Sequence, residues 1–204
     1  MITIHTLVLG RLQTNCYVVH DEAVSTCVVV DPASDPEKIL EFIQEKGLNL
    51  EAIFLTHGHF DHVGAVEALR AATGCALYMH KGDYHQRSHP TIDFLYPLHD
   101  KDLGEVCYCE DGDTIPAAGL TFTVYSTPGH SRGSLCYLAE DVLISGDTLF
   151  AGGCGRTDLP GSDPEAIFIS LADLAELDDK LRVFPGHGES TTLAREKRYN
   201  PYMR

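Results

Sequence analysis

The chain has 204 residues, of which 44% are hydrophobic and 22% charged. That is enough apolar material for one sizeable core, and it excludes an intrinsically disordered chain. A formal net charge of −15 argues against recognition of a nucleic-acid backbone, which needs a basic face. No apolar run reaches the length of a membrane span, and Met1 to Val8 lacks the basic start of a secretion signal. The expected compartment is the cytoplasm, with neither nucleic acid nor membrane as a partner.

In chain order, residues 2–9, 15–20 and 25–30 read as strands separated by turn residues, the third closed by Asp31-Pro32. A helix follows. Asp35 is placed to cap it, Pro36 suits its first turn, Ile39, Leu40 and Ile43 form its apolar stripe, and Gly47 ends it. Residues 52–55 form a short buried strand, 63–72 a helix with Gly74 past its end, and 76–79 another strand. Residues 81–111, with His85, His89 and His99, are the least regular part and predict a turn of helix and a loop beside any site.

The second half repeats this logic. Residues 120–126 form a strand, and 135–138 with 142–145 form a hairpin around Glu140-Asp141. Asp163-Pro164-Glu165 starts a helix with Ile167, Phe168, Leu171 and Leu174 as its stripe. Residues 182–184 make a last strand, and a final helix begins near Ser190. The expected architecture is α/β: a four-layer αββα sandwich of two mixed sheets with helices on the outer faces, in one domain over 1–204. The seven cysteines contain no C-x-x-C pair, so a cysteine zinc ribbon and a thioredoxin-like redox pair are both unsupported. Cys27 and Cys136 fall in apolar strands, where the residue acts as a small hydrophobe, and Cys154 reads as packing rather than as a nucleophile.

Chemistry concentrates where those strands end. Thr56-His57-Gly58-His59-Phe60-Asp61-His62 follows one strand directly, and His130, Asp147 and His187 each follow another. Imidazole and carboxylate are ligands for Zn²⁺ and similar transition metals. Strand ends at one sheet edge converge, so His57, His59, Asp61, His62, His130, Asp147 and His187 read together as one site for two divalent metals. Zn²⁺ is the first expectation, with Fe or Mn as the others that suit these ligands.

The pattern H-x-H-x-D-H followed by single His, Asp and His resembles the metallo-β-lactamase superfamily. Residues 146–156, Gly-Asp-Thr-Leu-Phe-Ala-Gly-Gly-Cys-Gly-Arg, and the tail Glu196-Lys197-Arg198-Tyr199-Asn200-Pro201 resemble its short glyoxalase II (hydroxyacylglutathione hydrolase) branch. The resemblance implies that His57, His59 and His130 hold one metal, that Asp61, His62 and His187 hold the second, and that Asp147 bridges them. It makes Asp61 and Asp147 the carboxylates of catalysis and Arg156 a basic substrate contact, although Thr157-Asp158 stands where an aromatic residue is expected. The chain has no room after His187 for the helical domain with which long glyoxalase II enzymes grip glutathione.

Two metals ~3.5–4 Å apart can share a water and lower its pKa toward ~7, which makes hydroxide available to attack a carbonyl. The resulting expectation is a binuclear hydrolase of a small-molecule thioester. The alternatives are a related persulfide dioxygenase with one iron, which also carries Gly-Arg-Thr-Asp after its metal aspartate, and another hydrolase of the superfamily such as a lactonase. A β-lactamase is disfavoured by Asp147, because those enzymes usually carry Cys at that position.

Overall fold

The computed structural model describes residues 1–84, 95, 97–98 and 103–204. His85, His89 and His99 lie outside the described residues, as does most of the irregular stretch around them. Two six-stranded sheets stack face to face. The first runs in the order β1 (Ile2–Leu9), β2 (Thr14–Asp21), β3 (Thr26–Val30), β4 (Asn49–Phe54), β5 (Ala76–Met79) and β6 (Cys107–Tyr108). The second runs β14 (Thr191–Thr192), β13 (Arg182–Pro185), β10 (Val142–Gly146), β9 (Leu135–Ala139), β8 (Leu120–Ser126) and β7 (Thr114–Ala117). A small hairpin pairs β11 (Leu149–Phe150) with β12 (Gly153–Cys154). Both large sheets are mixed: β3, β4, β5 and β6 are parallel, as are β10 and β13, while the flanking pairs are antiparallel.

The layering follows from the two-residue period of the strands. Tyr17, Val19, Val28, Val30, Ala52 and Phe54 point into the space between the sheets, where they meet Phe122, Val124, Tyr137 and Ile144. The intervening Cys16, Val18, Cys27, Val29, Ile53 and Leu55 point the other way. They pack on α1 (Pro36–Glu45) and α3 (Val66–Thr73) through Ile39, Ile43, Val66 and Leu69. On the far side, Cys136, Leu143 and Val183 pack on α5 (Pro164–Ala175) through Ile167, Leu171 and Leu174. Strands buried on both faces explain the near-continuous apolar runs in the sequence.

Several local expectations need correction. Asp35 does begin α1, but with φ of 52° and ψ of 57° its side chain bonds no helix N–H and instead accepts from the Ser34 hydroxyl. The helix expected over 63–72 starts later, at Val66 as α3, and a separate short helix, α2 (Phe60–Val63), precedes it. Phe168 is 52% exposed and stacks on Tyr202, outside the buried stripe of α5. Asp163 does cap α5 as its position predicts, accepting from the N–H groups of Glu165 and Ala166. The final helix, α6 (Leu193–Tyr199), starts three residues later than expected because β14 intervenes. A further short helix, α4, spans Lys81–Tyr84.

Candidate metal centre

The seven residues leave from central strands or just beyond them. His57 and His59 follow β4, Asp61 and His62 sit on α2, His130 follows β8, Asp147 follows β10, and His187 follows β13. Parallel pairing sets Gly146 opposite Pro185, so Asp147 and His187 leave neighbouring strands side by side.

Side chains from the four stretches converge in two groups. Ligand atoms of His57, His59 and His130 lie within 4.8 Å of one another, and so do those of Asp61, His62 and His187. His59 Nδ1 is 2.9 Å from His130 Nε2. In the second group, Asp61 Oδ2 is 3.6 Å from His62 Nε2 and 3.3 Å from His187 Nε2. Asp147 reaches both groups. Its Oδ1 is 3.5 Å from His62 Nε2, and its Oδ2 is 3.4 Å from His130 Nε2 and 3.7 Å from His187 Nε2. A carboxylate in that position can be shared between two cations.

Four of the five histidines are anchored through Nδ1. His62 Nδ1 lies 2.9 Å from Asp31 Oδ2, His130 Nδ1 lies 2.8 Å from the Arg156 carbonyl, and His187 Nδ1 lies 3.2 Å from the Leu12 carbonyl. His57 Nδ1 is 3.0 Å from the Thr56 hydroxyl, which itself donates to Asp31 Oδ2 at 2.6 Å. An acceptor at Nδ1 holds a proton there and aims Nε2 at the centre. Sequence reasoning assigned none of these anchors. Asp31 was legible only as a turn, although an acidic residue closing the apolar run Val28-Val29-Val30 was a usable signal.

The electrostatics differ between the two groups. Burial holds the His57 imidazole well below its ordinary pKa and, with the charge of His130, takes His59 down to about 3, so both rings are neutral. Burial also disfavours the charged form of Asp61, but its hydrogen bond with His187 and the charge of His62 outweigh it and hold the carboxyl at about 2. His62 behaves oppositely: burial lowers it, yet the carboxylates of Asp147, Asp31 and Asp61 together push it to about 9. Among the described residues, His57 Nε2, His62 Nε2 and Asp147 Oδ1 are buried and make no hydrogen bond. Three such atoms at one point are costly unless something binds them. With a donor set of imidazole nitrogens and carboxylate oxygens, they fit a pair of divalent transition-metal ions.

Tight packing fixes this arrangement. A Cβ on Gly186 would lie 2.2 Å from Asp147 Oδ1 and 2.7 Å from His62 Cε1, so only glycine lets the carboxylate sit where it does. A cavity of about 530 Å³ opens beside the cluster and is lined also by Leu12, Phe60, Phe150, Cys154, Arg156 and Leu159. Arg156 is exposed and forms a two-pronged ion pair with Asp158, at 2.6 and 2.8 Å. Burial raises the Cys154 thiol, which keeps it protonated and fits packing rather than attack.

Phe150 and Cys154 reach the cavity from the β11–β12 hairpin, which the C-terminal segment clamps. Buried Glu196 accepts from Gly152 N at 2.6 Å, and Asn200 Nδ2 donates to the Gly153 carbonyl at 2.9 Å and to Glu196 at 3.1 Å.

Residues 9–187 match the family described as "Metallo-beta-lactamase superfamily". Hydroxyacylglutathione hydrolase GloC of Haemophilus influenzae is 32% identical over 207 residues, covering 98% of this chain and 97% of that protein. Two solved structures superpose closely. BLEG-1, a B3 metallo-beta-lactamase, is 33% identical with a TM-score of 0.86 over 98% of this chain and 99% of the other. TTHA1623 in a di-iron-bound form is 40% identical with a TM-score of 0.83 over 97% and 99%. Fold, ligand-type cluster and sequence agree, and the chain belongs to the metallo-beta-lactamase superfamily.

Proposed function

We propose that this metal-dependent hydrolase is a thioesterase of the hydroxyacylglutathione hydrolase type with two metal positions. His57, His59 and His130 would hold one metal, Asp61, His62 and His187 the other, and Asp147 would be shared. The observation that carries the reading is Asp147, whose two carboxylate oxygens lie within 3.4–3.7 Å of histidines from both groups. Similarity to GloC supports the substrate class, and similarity to a protein with a di-iron form adds iron to zinc as a metal to test.

Metals bound there would polarise the thioester carbonyl and acidify a water. The chain's own residues do the rest. Burial keeps His57 and His59 neutral, and the neighbouring His187 and His62 rings favour the ionised form of Asp61. The Nδ1 anchors fix the rings before substrate arrives, so little reorganisation is required during reaction. Phe60, Phe150 and Leu159 give the cavity apolar walls that displace water from the reacting carbonyl. A thiolate leaves without a strong general acid, which suits a centre whose histidines serve as ligands. Asp158 occupies the Nε side of the Arg156 guanidinium, and a substrate carboxylate can meet its remaining Nη donors.

Metal content measured on the purified protein, followed by a panel of thioesters that includes lactoylglutathione, tests the proposal. Two metals per chain with thioester turnover that a chelator abolishes is the expected result. One iron per chain with oxygen uptake on glutathione persulfide refutes it in favour of the dioxygenase reading. Because of the similarity to BLEG-1, β-lactams and lactones belong in the same panel, and turnover of either without thioester turnover reassigns the substrate.

A further inference from the structure

Asp83 is a buried acid that the proposed chemistry does not use. It stands on α4, just after β5, and is 1% exposed. Its Oδ2 accepts from Gly58 N at 2.8 Å and from the Ser131 hydroxyl at 2.7 Å, while its Oδ1 accepts from Gly133 N at 2.7 Å. Gly58 lies between His57 and His59, and Ser131 follows His130. One carboxylate therefore ties together the two loops that carry the three-histidine group. The fit is close: a Cβ on Gly133 would lie 2.7 Å from Asp83 Cγ and Oδ1, so this position accepts no side chain. Asp31 receives His62 Nδ1 directly and supports His57 through the Thr56 hydroxyl, whereas the Asp83 carboxylate, among the described residues, bonds only to the two loops around His57, His59 and His130.

We propose that Asp83 is the positioning residue that sets the affinity of the three-histidine metal position, independently of the position built on Asp61, His62 and His187. This rests on the two-metal reading above. His57, His59 and His130 come from loops remote in sequence, and their mutual placement depends on what joins those loops. Asp83 spans the gap with hydrogen bonds to both, and charge-assisted bonds to a carboxylate are the stronger kind. Replacing one of its oxygens by an amide would set N–H against N–H and push the loops apart. Groups that orient metal ligands are typically worth ~10–100-fold in metal affinity.

The test is a chelator-competition titration with Zn²⁺ and with Co²⁺, reading metals per chain and the visible Co²⁺ spectrum, in wild type, Asp83→Asn and Ser131→Ala. The expected result for Asp83→Asn is one metal lost at ~10–100-fold lower chelator strength while the second titrates as in wild type. Ser131→Ala keeps the carboxylate and removes one of its three contacts, and it should shift the same metal by a few-fold. This milder variant decides the question if Asp83→Asn fails to give the wild-type circular dichroism spectrum. Parallel loss of both metals, or unchanged titration in both variants while wild type holds two metals, overturns the role of Asp83 alone. A wild-type protein that holds no metal overturns the two-metal reading and this role with it.

Discussion

The two sheets supply chemistry in different ways. The first delivers His57, His59, Asp61 and His62 within six residues, from the loop after β4 and the single turn of α2. The second sheet delivers His130, Asp147 and His187 one at a time, from loops after three different strands. A dense loop is positioned by local backbone and by buried acids that grip it, here Asp31 and Asp83. Of the dispersed residues, His130 shares Asp83 through Ser131 and Gly133, whereas Asp147 and His187 depend on sheet register and close packing, as where Gly146 pairs with Pro185. A dense motif thus survives small changes in sheet geometry, whereas a dispersed one records them.

The most damaging way to break this contrast is to remove the residue that joins the two halves. Asp147→Ala should lower kcat/KM by at least about 10²-fold, a loss comparable to removing one transition-state-stabilising group, and should release metal from both positions. Near-normal turnover would sink the shared-carboxylate mechanism. Gly186→Ala tests the packing side: a methyl 2.2 Å from Asp147 Oδ1 must displace it, and a shift of about 1 Å in a reacting geometry costs about 10²-fold. Circular dichroism should remain native-like while metal content falls; an alanine variant with full metal content would show that the carboxylate has room to spare.

Asp31→Asn probes the dense loop in turn. It replaces the acceptor of His62 Nδ1 and of Thr56, and metal affinity should fall by about 10–100-fold, most at the position containing His62. Equal weakening at both positions would mean that the loop responds as one unit. The smallest effect belongs to Arg156→Ala. Because the guanidinium is exposed and already paired with Asp158, KM for a glutathione thioester should rise by less than about tenfold with kcat nearly unchanged. A fall in kcat would instead place Arg156 in contact with the reacting groups.

The sequence revealed the two kinds of positioning unequally. The succession of strands along the chain and the helix start at Asp163 follow from apolar runs bounded by turn residues and a known capping pattern. Ligand-type residues were legible because polar groups directly after buried strands are unusual. What stayed hidden was the support: Asp31 and Asp83 act across 25 to 50 residues, and no local pattern encodes which distant N–H a carboxylate will meet. The break between α2 and α3 was missed for a related reason. At Gly64, between the two helices, a Cβ would lie 2.3 Å from the Ala33 carbonyl oxygen, a neighbour thirty-one residues away in the chain.

The C-terminal clamp has a consequence for how such a protein adapts. Glu196 and Asn200 hold the small β11–β12 hairpin by its backbone, and that hairpin brings Phe150 and Cys154 to the cavity without contributing any of the seven ligand-type residues. Changes on the outer surface of the last helix can therefore tilt one wall of the chamber and leave the reactive floor untouched. A hairpin held in this way can vary the lining of the cavity while the seven ligand-type residues keep their places.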